Sequence, residues 1–534
     1  MPPRPRIWLL LACCAPGIGL PLALGLNYGA RLSAPAGLYT VHVDDHIPDP
    51  ISQHSLASPP LRRPRGATLV VVDGLGLAEA RSMSALARLQ AHGQCRDTDV
   101  GSLPLSRPVY AVLSTGLEAD RNGVRGPDDS GPVAAPSIWE LARAAGMSVS
   151  AISELPWWGE LFTRGFDRYI TADRASNYFT LAPPASPRQL RLIHPLYVDE
   201  TGHEFGAASP QYHAAVDRVD RELDTFFDTL DLQRDLVIVT ADHGHTLRGG
   251  HGGRQDRVAH VLTCFAGPGV RHLDTPGPLH ATSVAPALAL LLALPFPAEM
   301  RAGDDDLETL WDIVDPAAFP PDYLDDRRRS IDRFRAANQA QLRRWLPASD
   351  GSWDRFYAHH RARQLRNASP VLTALAVLLA VQARSHRRPR PALFGLAFVV
   401  LFYLALYSIQ VVLRGSFDLS SIAHREDFIG FTLTFASLST TAAVGLHLLV
   451  RRDLSALLLD LGVLSLAGTL LTLAHPAAFG WQLGFPLPPP NLLFFPYFAA
   501  LVLPVANGLG LLIALACVVR AHPRRRSPPS PAPC

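Results

Sequence analysis

The sequence predicts an α/β domain with a mostly parallel sheet, joined to an N-terminal anchor helix and a C-terminal bundle of about five transmembrane helices. Three observations lead there. Between Ala67 and Val270, short apolar runs alternate with helical spacings, as in an α/β fold. Several runs end in Asp or Gly, where parallel strands present ligand sites. An apolar block opens the chain, and long apolar stretches separated by arginine clusters fill it after Pro370.

The chain has 534 residues and a net charge of +2, so no global field points to nucleic acid. "MPPRPRIWLLLACCAPGIGLPLALGL" has a basic start and then an apolar run. That pattern admits a cleaved signal peptide, with a lipoprotein-like site before Cys13. The run continues to Leu26, which favours an uncleaved anchor.

The last third offers spans at Ser369–Ala383, Ala392–Leu413, Phe428–Val450, Leu454–Ala474 and Leu492–Val519. The first is short for a bilayer core of ~30 Å. "RSHRRPR" (Arg384–Arg390), "RRD" (Arg451–Asp453) and "RAHPRRR" (Arg520–Arg526) are basic. "RGSFDLSSIAHRED" is balanced, and "HPAAFGWQLGFPLPPPN" has no arginine. This alternation fits six spans with both termini cytoplasmic. The segment between the first and second spans, about Asn27 to Ala368, then faces outside, in the periplasm if the chain is bacterial and the membrane is the inner one. The expected units are residues 1–26 (anchor), 27–303 (extracytoplasmic domain), 304–368 (charged helical arm), 369–520 (membrane domain) and 521–534 (disordered tail).

Within the outer domain, "ATLVVVDGLG" (Ala67–Gly76) reads as a buried parallel strand and its turn. "LAEARSMSALARLQAHG" has helical spacing with a glycine stop. "SIWELARAAG" opens on a capping-box pattern, Ser137 with Glu140. "MSVSAIS" is the next strand, Ser209–Leu230 an amphipathic helix, and "DLVIVTADHG" the strand after it. Cys95 and Cys264 are either a disulfide or two isolated thiols.

Four places carry candidate chemistry. They are Asp73 after its strand; Ser106 in "SLPLSRPVYAVLSTG"; Asp199 and His203 in "YVDETGHEFG"; and Asp242, His243 and His251 in "VIVTADHGHTLRGGHGG". Each alone has a plainer reading: a helix cap, one serine among many, a turn capped by Asp199, a structural histidine. Together, carboxylates and imidazoles at separate strand ends are what two divalent metals need, and zinc takes both ligand types. Two metals roughly 3.5–4 Å apart can clamp the attacking and leaving oxygens of a displacement at phosphorus.

On these motifs the sequence resembles the alkaline phosphatase superfamily, in its type I phosphodiesterase/nucleotide pyrophosphatase branch. The resemblance runs from about Ala67 to Val270. It implies an alkaline-phosphatase-like α/β/α sandwich and two divalent metal ions, commonly zinc. Asp73, Ser106, Asp242 and His243 would surround one metal, and Asp199, His203 and His251 the other. Ser106 would be the nucleophile. Val109 and Tyr110 stand where related sulfatases have Ser-Arg, which argues against sulfate esters.

"SRPVYAVLSTG", "VDETGHEFG", "DHGHTLRGGHGG", "PWWGELF" and the membrane architecture further resemble the GPI ethanolamine-phosphate transferases. That resemblance implies transfer of a phosphoethanolamine-type head group from a membrane phospholipid to a glycan or glycolipid hydroxyl. A phosphodiesterase using water is the alternative, and an inactive lipid-binding scaffold a further one. The spans suggest lipid handling or a membrane-protein partner. His245 departs from the family, which usually has Met there. It reads as a pocket residue, a residue behind the metal ligands, or a solvent-facing side chain.

Overall fold

The computed structural model describes residues 18–27, 63–127, 131–294, 304–385, 389–421, 425–450, 454–480 and 490–521. An eight-stranded sheet runs β4-β3-β5-β1-β6-β7-β2-β8. Its strands are β1 Gly66–Val71, β2 Gly93–Asp99, β3 Ser148–Ser153, β4 Arg168–Thr171, β5 Gln189–His194, β6 Asp235–Thr240, β7 His260–Ala266 and β8 Leu279–His280. Central β1 pairs in parallel with β5 and β6. Only β7 runs antiparallel to its neighbours, β6 and β2. All six residues of β1 and of β6 are buried, as expected of parallel strands covered on both faces.

β1, β5 and β6 therefore end at one edge, and their following loops converge there. Helices α1 (Ser106–Thr115), α2 (Ile138–Ala144), α3 (Tyr197–Phe205) and α4 (Pro210–Phe227) flank the sheet sequence. The Ser137–Glu140 capping box at α2 is present in full. The helical spacing after β1 resolves into two short helices, Leu77–Ala80 and Ser84–Gln90, with Arg81 to Met83 between them. Cys95 and Cys264 face each other across β2 and β7 and form a disulfide, which decides between the two readings of these cysteines.

The charged arm contains α5 (Pro321–Trp345), which is not simply a solvated rod. Tyr323, Leu324 and Ile331 lie in the same apolar core as the sheet, and Tyr323 donates to Leu290 O at 2.7 Å. Helix α6 (Trp353–Ser385) then runs without a break through Ala368 and Ser369, with Pro370 inside it. Helices α7 (Pro389–Arg414), α8 (Arg425–Val450), α9 (Leu454–Phe479) and α10 (Pro490–Ala521) complete the chain. Phe402, Phe435, Leu464 and Phe498 anchor their own apolar core.

Among the described residues, four helical stretches are long and apolar enough to cross a membrane: Asp354–Val381, Ala397–Arg414, Gly430–Val450 and Ala456–Phe479. The fifth expected span corresponds to a shorter described apolar stretch, Tyr497–Ile513. The expected N-terminal anchor falls in part on the short apolar helix Ile18–Asn27, which is not long enough to count as a span. Residues 1–17 with Cys13, most of the basic loops at 386–388, 451–453 and 522–526, and the tail lie outside the described residues.

Candidate metal centre

Asp73 sits two residues beyond β1, where Gly74 turns the chain at φ +73°. Gly74 must be glycine for a second reason: a Cβ there would stand 2.6 Å from Asp199 Cα. Tyr212 on α4 pins this turn, donating to Gly74 O at 2.6 Å and accepting from Gly76 N at 3.1 Å. Asp242 likewise sits two residues beyond β6, with His243 next to it. Ser106 opens α1 after the extended residue Leu105. Asp199 and His203 lie on α3, an i,i+4 pair on one helix face, so "DETGH" is helical rather than a plain turn.

Asp73, Asp242 and His243 form one group of converging donor atoms. Asp73 Oδ2 accepts from Tyr110 Oη and lies 2.9 Å from His194 Nε2. Asp242 Oδ1 accepts from Gly74 N at 3.1 Å and His243 N at 3.0 Å. The other oxygen of each, Asp73 Oδ1 and Asp242 Oδ2, is buried without a hydrogen-bond partner. These two oxygens lie 3.6 and 3.3 Å from His243 Nε2, which in turn is 3.3 Å from Ser106 Oγ. Buried carboxylate oxygens left unpaired are costly unless a cation meets them.

The second group centres on Asp199. Its Oδ1 is faced by the Nε2 atoms of His245 at 2.9 Å, His203 at 3.5 Å, His243 at 3.9 Å and His251 at 4.0 Å. His251 Nδ1 donates to Pro104 O at 3.1 Å, so its Nε2 is left as an acceptor. That nitrogen lies 3.1 Å from His203 Nε2. Two imidazole nitrogens and a carboxylate at this spacing suit a divalent ion. The seven residues expected at the site lie together: Asp73–Asp242–His243 and Asp199–His243–His251 are donor groups compatible with a divalent metal, so His243 is shared between them, and Ser106 stands beside His243. His245 is not solvent-facing: it is 1% exposed and joins Asp199 and His203 in a third donor group.

The electrostatics point the same way. Burial, then repulsion from Asp199, raises the Asp73 carboxyl well above its usual range. Burial, then Asp73, does the same to Asp242. Burial opposes ionisation of Asp199 too, but the histidines, His203 first, outweigh it and hold this carboxyl well below its usual range. Burial pushes His243 down to about 3 and also lowers His251, so both keep a lone pair for a metal at neutral pH.

Sequence reasoning missed the residues that hold Asp73. Tyr110 lies one helical turn after Ser106, and its ring stacks on Trp158 with centroids 4.3 Å apart. His194, at the end of β5, is 2.9 Å from Tyr110 Oη and 2.9 Å from Ser153 Oγ. The "PWWGELF" segment gives this wall its shape: Arg107 lies 4.9 Å from the Trp157 ring centroid and pairs with Glu160 at 2.7 Å. The spacing of Tyr110 from Ser106 was the one available signal.

The loop bearing His251 is fastened to the C-terminal helices that hold the candidate membrane spans. Arg248 donates to Val412 O at 3.0 Å and to Leu413 O, at the end of α7. Gly253 N donates to Ser420 Oγ at 2.7 Å, Ser420 Oγ to Gln255 Oε1 at 2.8 Å, and Gln255 Nε2 to Asp418 Oδ2 at 2.7 Å. Gly252, at φ +103°, sits between Leu105 and Leu419; a Cβ there would lie 2.9 Å from Leu105 Cδ2 and 3.0 Å from Leu419 Cβ.

Comparison with known proteins agrees with the resemblance carried by the motifs. Residues 132–290 match the family model for type I phosphodiesterase / nucleotide pyrophosphatase, a stretch holding Asp199, His203, Asp242, His243 and His251. A GPI ethanolamine phosphate transferase 3 of Schizosaccharomyces pombe is 33% identical over 111 residues, 20% of this chain and 12% of that protein. The Homo sapiens GPI ethanolamine phosphate transferase 3 catalytic subunit is 29% identical over 127 residues, 22% of this chain and 12% of that protein. The matched segment thus spans about an eighth of these relatives' length. A solved murine ectonucleotide pyrophosphatase/phosphodiesterase 5 is 16% identical, with TM-score 0.36, covering 44% of this chain and 96% of its own. A 2-O GAG sulfatase is 16% identical, with TM-score 0.37, covering 45% and 73%.

Proposed function

We propose that the chain is a membrane-bound, two-metal phosphotransferase working through a covalent phosphoryl-serine. The observation that carries this reading is Ser106 Oγ beside His243, next to the unpartnered oxygens of Asp73 and Asp242. Divalent ions bound there, zinc by donor chemistry, would supply positive charge at the attacking and leaving oxygens and lower the pKa of the serine hydroxyl.

The chain's own residues do the rest. Ser106 Oγ gives up its proton and attacks the phosphorus of a phosphodiester, the bond from phosphorus to the departing oxygen breaks, and that oxygen takes up a proton to leave as the alcohol. Ser106 opens α1, where backbone N–H groups without intrahelical acceptors favour a phosphoryl anion. An acceptor hydroxyl then attacks the same phosphorus, gives up its proton and frees Ser106. Tyr110 and His194 hold Asp73 in place throughout.

The donor in this reading is a membrane phospholipid. Support comes from the bonds that tie the His251 loop to the end of α7, a candidate span, and to the loop after it. A phosphoethanolamine-type group and a glycan or glycolipid acceptor follow from the likeness to GPI ethanolamine phosphate transferases. The catalytic unit, residues 27–303 with the arm 304–368, would face the extracytoplasmic side, with both termini cytoplasmic. The Cys95–Cys264 disulfide supports an oxidising compartment such as the periplasm. The phosphodiesterase family match favours a second reading in which water is the acceptor.

The test is mass spectrometry of the Ser106 peptide after incubation with membrane lipids. A phosphoethanolamine-sized adduct on Ser106 is the expected result. Turnover of lipid with an unmodified Ser106, even after rapid acid quench, would overturn the covalent route.

A further inference from the structure

We infer that His245 is a positioning residue for Asp199, holding the carboxylate toward the metal it would share with His203 and His251. The inference rests on the two-metal reading above.

His245 Nε2 lies 2.9 Å from Asp199 Oδ1, closer than any of the other three imidazoles around that oxygen. A carboxylate only accepts, so Nε2 carries the proton and donates it. Nδ1 is buried and has no hydrogen-bond partner among the described residues, so none of them competes for the ring's tautomer.

The backbone is shaped around this ring. A Cβ on Gly74 would stand 3.0 Å from His245 Nε2, and a Cβ on Gly202 would overlap the imidazole itself. Gly74 belongs to the turn after Asp73, and Gly202 to the helix turn between Asp199 and His203. The imidazole therefore sits between the elements that carry Asp73 and Asp199, two of the three metal-facing carboxylates. Edge-on contacts to His203 and His251, with centroids 5.0 and 5.4 Å away, complete its seat.

Direct ligation by His245 is the competing role. Asp199, His203, His251 and His245 would then make four protein donors, the closed shell of a structural site. Transfer needs an open position for a phosphoryl oxygen, so the donor role fits the chemistry. Hydrogen bonds of this kind onto a ligating carboxylate set metal affinity by ~10–100-fold.

The test uses full-length protein in detergent, with zinc as probe and chelator competition as readout. His245→Gln keeps an N–H near the Nε2 position; His245→Met has similar bulk and none. The parent and the Gln variant should bind two zinc ions, with affinities within about threefold of each other. The Met variant should weaken one of the two by ~10–100-fold. The metal-stripped Gln and Met proteins should unfold at the same temperature, which separates the effect from folding. Unchanged zinc binding in the Met variant overturns the inference, as does a Gln variant as weak as Met. If the Met variant does not fold, His245→Asn, whose shorter amide falls short of Asp199, takes its place with the same outcomes. A parent that binds no zinc overturns the two-metal reading itself.

Discussion

Gly253 donates its backbone N–H to Ser420 Oγ across 2.7 Å, tying the loop of His251 to the loop that follows helix α7. Ser420 returns a bond to Gln255, and Asp418 accepts from the same side chain, so three bonds span the two loops. Each buried bond of this type is worth about 1 kcal/mol. Ser420→Ala combined with Asp418→Ala should loosen the His251 loop and lower lipid turnover several-fold, with little change in the unfolding temperature of the α/β domain. Turnover of a phospholipid diester in mixed micelles, beside a thermal melt, checks this. Equal turnover in parent and variant would remove the membrane loop from any role at the site.

Ser106→Ala should abolish turnover while both metals stay bound, because the Asp and His donors remain. Asp199→Ala with His203→Ala should instead lower metal content by one equivalent. Elemental analysis alongside turnover separates the two. A Ser106→Ala protein with parental turnover would rule out Ser106 as nucleophile.

Tyr110→Phe deletes the hydroxyl that donates to Asp73 Oδ2 but keeps the ring stacked on Trp158. Affinity at the Asp73–Asp242–His243 site should fall by ~10–100-fold, with the fold intact. Chelator titration of the zinc-loaded protein reads this directly. No shift would mean that His194 alone suffices to hold Asp73.

Acid should loosen the same region through Asp99. This residue ends β2 and takes a bidentate pair from Arg254 at 2.6 and 2.7 Å. Burial would raise the Asp99 carboxyl, but Arg254 and the backbone of Gly101 outweigh it and leave the pKa below the ordinary 3.8. A depressed folded pKa stabilises above the unfolded value and loses that contribution as pH falls through the folded one. The stability gap between the parent and Asp99→Asn should therefore be full near neutrality and shrink below about pH 4. Chemical denaturation across that range measures it; a gap that widens on acidification contradicts the pair.

The elements legible in the sequence were those whose role is written in apolar pattern. β1 and β6 are buried on both faces and read as unbroken apolar runs. α4 shows its buried face at helical spacing, and α2 shows its capping box. β5 and β2 were hidden because their buried positions are partly polar. Arg191 in β5 donates to Thr68 Oγ1 and Pro183 O, and Arg96 in β2 to Gln94 Oε1. Hydrogen bonds of that kind satisfy buried charge without leaving an alternating signature in the chain.

The sequence by itself supplied the donor set of the candidate site, Asp, His and Ser side chains in four separate motifs, because side-chain chemistry is written in the chain. The tertiary structure decided which oxygen of each carboxylate meets the cleft. It also decided which histidines face Asp199, and that a membrane loop braces His251. Those are properties of contacts between residues far apart in the chain. Tyr110 reaches Asp73 across 37 positions, His245 reaches Asp199 across 46, and Ser420 reaches Gly253 across 167. No local spacing encodes them; the first two appear when the parallel sheet brings its strand ends to one edge, and the third when the loop after α7 meets the His251 loop.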